Sequence, residues 1–99
     1  MQAHYPSSFE RDMACTEAEW LRWLPGATRG LPLQCGSANA TVTLGPGCLK
    51  LAWHALPARQ IALMRLPRLA VQFEFVTVPD GERQRFMRYF DLYTQRGGG

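Results

Sequence analysis

The predicted strand at residues 69–76 carries the feature that most constrains the fold, a strict alternation of apolar with small or polar side chains from Leu69 to Phe75. The apolar positions are Leu69, Val71, Phe73 and Phe75. The positions between them are Ala70, Gln72 and Glu74. Successive side chains of a strand point to opposite faces of its sheet, so this segment predicts a strand with one buried and one open face. The fold must therefore contain a sheet that is covered on one side.

Three further strands are predicted upstream, over residues 41–44, 48–54 and 60–66, with a short edge piece at residues 33–36. The connections contain Pro46, Pro57 and Pro67 and are only a few residues long. Crossover helices do not fit into such short loops, so neighbouring strands are expected to pair antiparallel as a meander.

Two helices are predicted, one before and one after the strands. Thr16 and Glu19 have the spacing of a capping box, and Pro25 with Gly26 is expected to end the helix that they begin. The second helix is predicted from about residue 81 to residue 95, after Asp80. Its aromatic residues form a stripe at helical spacing, namely Phe86, Tyr89, Phe90 and Tyr93. A short extra helical turn is also predicted over residues 7–10.

Together these elements predict an α+β fold, a two-layer sandwich in which both helices cover one face of an antiparallel meander sheet of about four strands. The chain of 99 residues is sufficient for one small domain with a single core. We place that domain at residues 16–96. Residues 1–15 are expected to be a flexible or partly ordered segment, and residues 97–99 a flexible glycine tail.

The net charge of +3 comes from ten arginines and one lysine against eight carboxylates. No run of five or six basic residues is present, so the composition does not indicate a strong nucleic-acid binder. Weak binding of nucleic acid or another anion through scattered arginines stays as an alternative function. The candidate anion-binding residues are Arg65, Arg68, Arg85 and Arg88.

Residues that would carry catalysis or hold a metal are not arranged for it along the chain. Cys48 and His54 fall on one predicted strand, about 20 Å apart at the usual rise per residue, so they cannot form a nucleophile and base pair. Cys15, Cys35 and Cys48 lack the close pairing of zinc ligands. We therefore expect no catalytic residue, metal or cofactor, although a pocket between sheet and helix, for a small molecule or for catalysis, stays open as an alternative.

The sequence shows neither a secretory signal nor an apolar run long enough to span a membrane. Three widely spaced cysteines fit reduced thiols better than a disulfide framework. A cytoplasmic protein without a membrane partner is expected.

The face of the predicted sheet that the helices leave uncovered carries small and partly apolar side chains. A face that meets only water usually carries more charge and threonine, so this one suits contact with another surface. We expect a non-enzymatic domain that acts through protein contact, as a homodimer formed by this face or by an edge strand. The candidate interface residues are Lys50, Ala52, His54, Ala62, Met64, Ala70 and Gln72.

Overall fold

The computed structural model describes residues 4–95, and this part of the chain folds into five strands and two helices. The elements are β1 (Ser8–Met13), α1 (Glu17–Ala27), β2 (Leu33–Cys35), β3 (Asn39–Leu44), β4 (Gly47–Ile61), β5 (Met64–Val76) and α2 (Asp80–Gln95). The strands form one antiparallel sheet in the order β1-β5-β4-β3-β2. The predicted α+β class and the meander from β2 to β5 are confirmed, with five strands instead of about four. The predicted glycine tail lies outside the described residues.

Both helices pack on the face of the sheet that the alternation predicted to be buried. Phe73 lies at the centre of this layer, only 1% exposed. Trp20 of α1 and Phe90 of α2 each meet it edge-on, with ring centroids 6.5 and 5.6 Å away. Edge-to-face contacts of this kind place the positive rim of one ring against the negative face of another, which adds to the burial of their area.

The helical turn predicted over residues 7–10 is wrong, because this part of the chain is strand β1. It pairs with β5 from Ser8 opposite Glu74 to Met13 opposite Leu69. Phe9 stacks on Phe73, with centroids 4.7 Å apart and planes inclined by 10°. The pairing satisfies backbone groups along the edge of β5 that a helical turn would leave without partners.

The prediction of a separate strand over residues 60–66 is also wrong, because that segment contains the turn of a long hairpin. β4 continues to Ile61, and β5 begins at Met64. Between them Ala62 takes a positive φ of 54°. The turn lacks the Gly, Asn or Asp that marks most tight hairpins, so the sequence pattern did not reveal it.

Pro57 and Pro67, predicted to lie in loops, lie inside the two strands of this hairpin. The register shifts between Leu56 and Arg59, so that one extra residue of β4 bulges beside Pro67. The pairing of β3 with β4 reaches only to Ala52, so Pro57 lies on an outer edge. A proline there removes no hydrogen bond of the sheet, and the strand continues through it.

Helix α1 begins as predicted, with the Thr16 and Glu19 capping box formed, but it continues past Pro25 to Ala27. Ala27 and Thr28 are completely buried. The Thr28 hydroxyl donates to the Leu24 carbonyl oxygen at 2.8 Å. Burial and this hydrogen bond stabilise the last turn, although Pro25 supplies no N–H to it.

Helix α2 begins at Asp80 and divides its aromatic stripe between two neighbours. Phe86 and Phe90 are buried against the sheet. Tyr89 instead contacts the end of α1, where the Arg29 guanidinium lies 4.4 Å from its ring centroid. The stripe therefore covers the sheet and also joins the two helices.

We predict that Gly47→Ala destabilises the fold by about 1–3 kcal/mol in urea unfolding, since an added Cβ overpacks the start of β4. That atom would lie 2.3 Å from the carbonyl oxygens of Val76 and Thr77. Gly81→Ala is the matched control, because its Cβ meets nothing closer than the mobile end of Arg85 at 3.4 Å. Alanine also favours the helix there. Equal losses for the two variants would contradict the prediction.

Candidate functional site

The side of the sheet that faces away from the helices, here called the open face, brings five of the predicted interface residues together. Residues paired across antiparallel strands point to the same side of the sheet. Register places His54 opposite Ala70 and Ala52 opposite Gln72. Lys50, opposite Glu74, lies on the same side. The five residues gathered on the open face are thus Lys50, Ala52, His54, Ala70 and Gln72.

The centre of the open face is small, and its borders are polar. Ala52 is half-buried, whereas Ala70 is 3% exposed beneath its neighbours. The outer strands add polar side chains to this face, among them Thr41 on β3 and Glu10 on β1. The sequence pattern predicted the small side chains at the centre of the open face. It did not predict the acidic residue Glu10 at the border, because β1 was not assigned to the sheet.

Two shallow depressions lie side by side on this face and share Gln72 and Glu74. One, of about 320 Å³, includes Lys50 and Ala52 in its lining. The other, of about 390 Å³, includes Ser8 and Glu10. Depressions of this shape suit single side chains of a partner surface better than an enclosed small molecule.

The described part of the N-terminal segment does not cover the open face. Tyr5 is completely buried in the core, and β1 lies beside β5 in the plane of the sheet. The backbone of Tyr5 is held by Gln84, whose side chain accepts from its N–H at 2.9 Å and donates to its carbonyl at 2.8 Å. Residues 4–13 therefore belong to the edge of the sheet and to the helical layer.

Ala62 and Met64, the other two predicted interface residues, lie in a projection of the hairpin, here called the arm (residues 55–68). Ile61, Leu63 and Met64 are 52%, 98% and 62% exposed, and they form what we call the tip of the arm. Met64 pairs with Ile61. Counting alternate residues along β5 from Ala70 places Met64 on the open-face side. The arm thus extends the open face with apolar side chains.

The four predicted anion-binding residues are not brought together into one site. Arg65 and Arg68 lie on the arm, whereas Arg85 and Arg88 lie exposed on α2. Arg68 is engaged, since its Nη2 donates to Asp12 Oδ2 at 2.6 Å. Hydrogen bonding by Arg68 holds the pKa of Asp12 below its ordinary value.

A buried polar cluster that the sequence analysis missed joins β1 to α2. Asp91, 3% exposed, accepts hydrogen bonds from both terminal nitrogens of Arg11 and from the Tyr5 hydroxyl. The Arg11 guanidinium also lies 5.3–5.6 Å from the ring centroids of Tyr5, Phe9 and Phe73. Asp91 therefore has a structural role, in which it joins α2 to Arg11 of β1 and to Tyr5.

A depression of about 540 Å³ adjoins this cluster, between the end of β1 and α2. It lies where the alternative function requires a pocket, between the sheet and a helix. Asp91 in its wall is already bonded to Arg11 and Tyr5. Thr94, also in the wall, donates to the Phe90 carbonyl at 3.1 Å. Neither His54 nor a cysteine lines it. The polar side chains of this depression are thus engaged in contacts within the fold.

The cysteines within residues 4–95 lie at three separate places in the fold. Cys15 is buried, and burial, then the charge of Glu19, raises the pKa of its thiol to about 11, so it stays protonated at neutral pH. Cys48 and His54 lie on β4 as predicted, too far apart along the strand to react together. The described residues include no grouping of three or more His, Cys, Asp or Glu suited to a metal ion.

Neither described helix, α1 or α2, is long and apolar enough to cross a membrane.

No protein-family model matches the chain, and neither the curated proteins nor the solved structures include a significant match. What the protein does is therefore inferred from the chemistry and geometry of its own residues.

We predict that Tyr5→Phe removes part of the loss of stability at alkaline pH. Burial, then the hydrogen bond and the negative charge of Asp91, raise the pKa of Tyr5 from 10.0 to about 12. A raised pKa in the folded state stabilises the fold fully below pH 10, and this contribution disappears as the pH rises towards 12. In urea unfolding at several pH values, the wild type should lose stability more steeply than the variant between pH 10 and 12. Parallel slopes would contradict this assignment.

Proposed function

We propose that this protein is a small non-enzymatic domain that acts through protein–protein contact, and that it associates with itself through the open face. The observation that carries the proposal is the combination of two helices on one side of the sheet with small side chains at the centre of the other. Ala52, half-buried at this centre, leaves a low area between the longer side chains of Lys50, His54 and Gln72 into which side chains of a partner are able to pack.

The charges of the open face favour a second copy as the partner. Lys50 and Glu74 are direct neighbours in the register, and Glu10 lies further out on β1. In a twofold dimer the same patch is used by both subunits, so a patch that carries both signs of charge is able to complement itself.

Contact through an edge strand is less well supported than contact through the open face. β2 at one edge has only three residues. β1 at the other edge carries the consecutive charged residues Glu10, Arg11 and Asp12. Short strands and charged residues are features that protect sheet edges from pairing.

We predict that Ala52→Arg weakens self-association at least about tenfold, because the new side chain holds the two sheets apart and adds charge beside Lys50; tenfold corresponds to about 1.4 kcal/mol. The measurement is the molecular mass in sedimentation equilibrium from about 1 μM to 1 mM, a range in which weak dimers are detected. Ala18→Arg is the matched control, since Ala18 is exposed on α1, away from the open face.

The wild type and Ala18→Arg should both gain mass with concentration, whereas Ala52→Arg should stay monomeric while keeping its circular dichroism spectrum. A wild-type protein that is monomeric throughout, or an equal dissociation constant for folded Ala52→Arg, would overturn the proposal.

A further inference from the structure

We propose that the arm of one copy lies across the open face of a second copy, and that the second copy returns the same contact. This inference rests on the self-association proposed above, and it specifies which surfaces meet. Both halves of the contact come from the same hairpin, since β4 and β5 supply the centre of the open face and then continue into the arm.

The first argument is one of length. The part of β4 on the open face, residues 48–54, and the part in the arm, residues 55–61, each have about seven residues and so span about 23 Å. The two parts account for the longest dimension of the molecule, 47 Å. A twofold axis where the arm leaves the body, near the pair of Leu56 and Arg68, would therefore place each arm over most of the partner's open face, with Met64 over the partner's Gln72.

The second argument is that the apolar side chains of the arm lie mainly on one side. Along β5, Leu66 and Met64 alternate with Arg65 and fall on the open-face side. Their register partners are Arg59 and Ile61, which lie on that side too. Side chains gathered on one side suit contact with a flat surface. Insertion of the tip alone would leave Leu66 without a partner.

The third argument is charge. The arm contains Arg59, Arg65 and Arg68 and no carboxylate. The open face and its border carry Glu10, Asp12 and Glu74 against Lys50 as the one lysine. Arg68 pairs with Asp12 of its own chain and Arg65 lies on the opposite side of the arm, so Arg59 is the arginine that the arm presents to a second copy. Glu10 accepts from the uncharged Gln72 amide of its own chain at 3.3 Å and keeps its negative charge for the partner. Arg59 over this acidic border is a complementary arrangement, whereas two stacked arms would bring arginines together.

Disulfide trapping tests this arrangement directly. In a Cys35→Ser, Cys48→Ser background, which keeps the buried Cys15, Met64→Cys places a thiol at the tip and Gln72→Cys places one on the open face. Along β5 these positions are about 26 Å apart, so they cannot join within one chain. The two substitutions are made separately and together, and covalent dimers are counted after mild oxidation.

The protein that carries both substitutions should form a covalent dimer. Either substitution alone should give at least about tenfold less of this dimer. A dimer trapped by Met64→Cys alone would show that the arms meet tip to tip. A dimer trapped by Gln72→Cys alone would show that the open faces stack without the arms. Either outcome overturns the inference and leaves the proposed self-association standing. A background protein that is monomeric in sedimentation equilibrium overturns both.

A second variant does not depend on oxidation. Met64→Asp should raise the dissociation constant of the dimer at least about tenfold, whereas Leu21→Asp, at an apolar residue of α1 that is 42% exposed, should leave it unchanged. Sedimentation in the presence of anionic phosphatidylserine vesicles is the remaining comparison. Vesicle binding that Met64→Asp abolishes, with no effect of this variant on the dimer, would assign the tip to a lipid surface and overturn the inference.

Discussion

The arrangement of this fold depends on the interactions of the Asp91 carboxylate with Arg11 and Tyr5. This carboxylate is buried between the sheet and α2, and it would be strongly destabilising there without partners, because a desolvated charge must be compensated. Arg11 supplies the opposite charge and Tyr5 a further hydrogen bond. Both partners come from the N-terminal segment. One buried group on the last helix thus determines where the first strand lies.

This attachment also explains why the open face stays open in the described part of the chain. Tyr5 is held at two positions along α2, by Gln84 through its backbone and by Asp91 through its hydroxyl. The chain that leaves Tyr5 has only two residues before β1 begins at Ser8, so it enters the sheet beside β5. Residues 4–13 thus complete the core and the edge of the sheet.

Local patterns were sufficient to predict much of the fold. The alternation at residues 69–76 correctly gave the buried face of β5, and the Thr16 capping box gave the start of α1. The interaction of Tyr5 with Asp91 was not predictable in this way, since it joins residues 86 positions apart and leaves no local signal. Phe9 and Met13 are spaced four apart, which fits a helical turn, although both positions also fit the alternation of β1. The arm was missed because its two prolines resemble loop residues.

For the candidate site, the open-face residues followed from the alternation of side chains along β4 and β5. This rule placed five of the seven candidate interface residues on the same face of the sheet. Met64 does lie on the open-face side. It belongs to the arm, however, and not to a separate strand over residues 60–66 as predicted. Ala62 lies in the turn, where this alternation does not apply. Alternation along a strand predicts which face of the sheet a side chain lies on, but it does not predict where the strand extends beyond the body of the sheet.

Pro57 and Pro67 influence how the protein behaves in a crowded solution. A two-stranded projection with free edges is a template on which further strands are able to assemble, and growth of that kind has no natural end. The two prolines and the bulge between Leu56 and Arg59 interrupt the row of N–H groups that such growth requires. The edges of the projection are therefore poor templates for further strands, even though Ile61, Leu63 and Met64 are exposed at its tip.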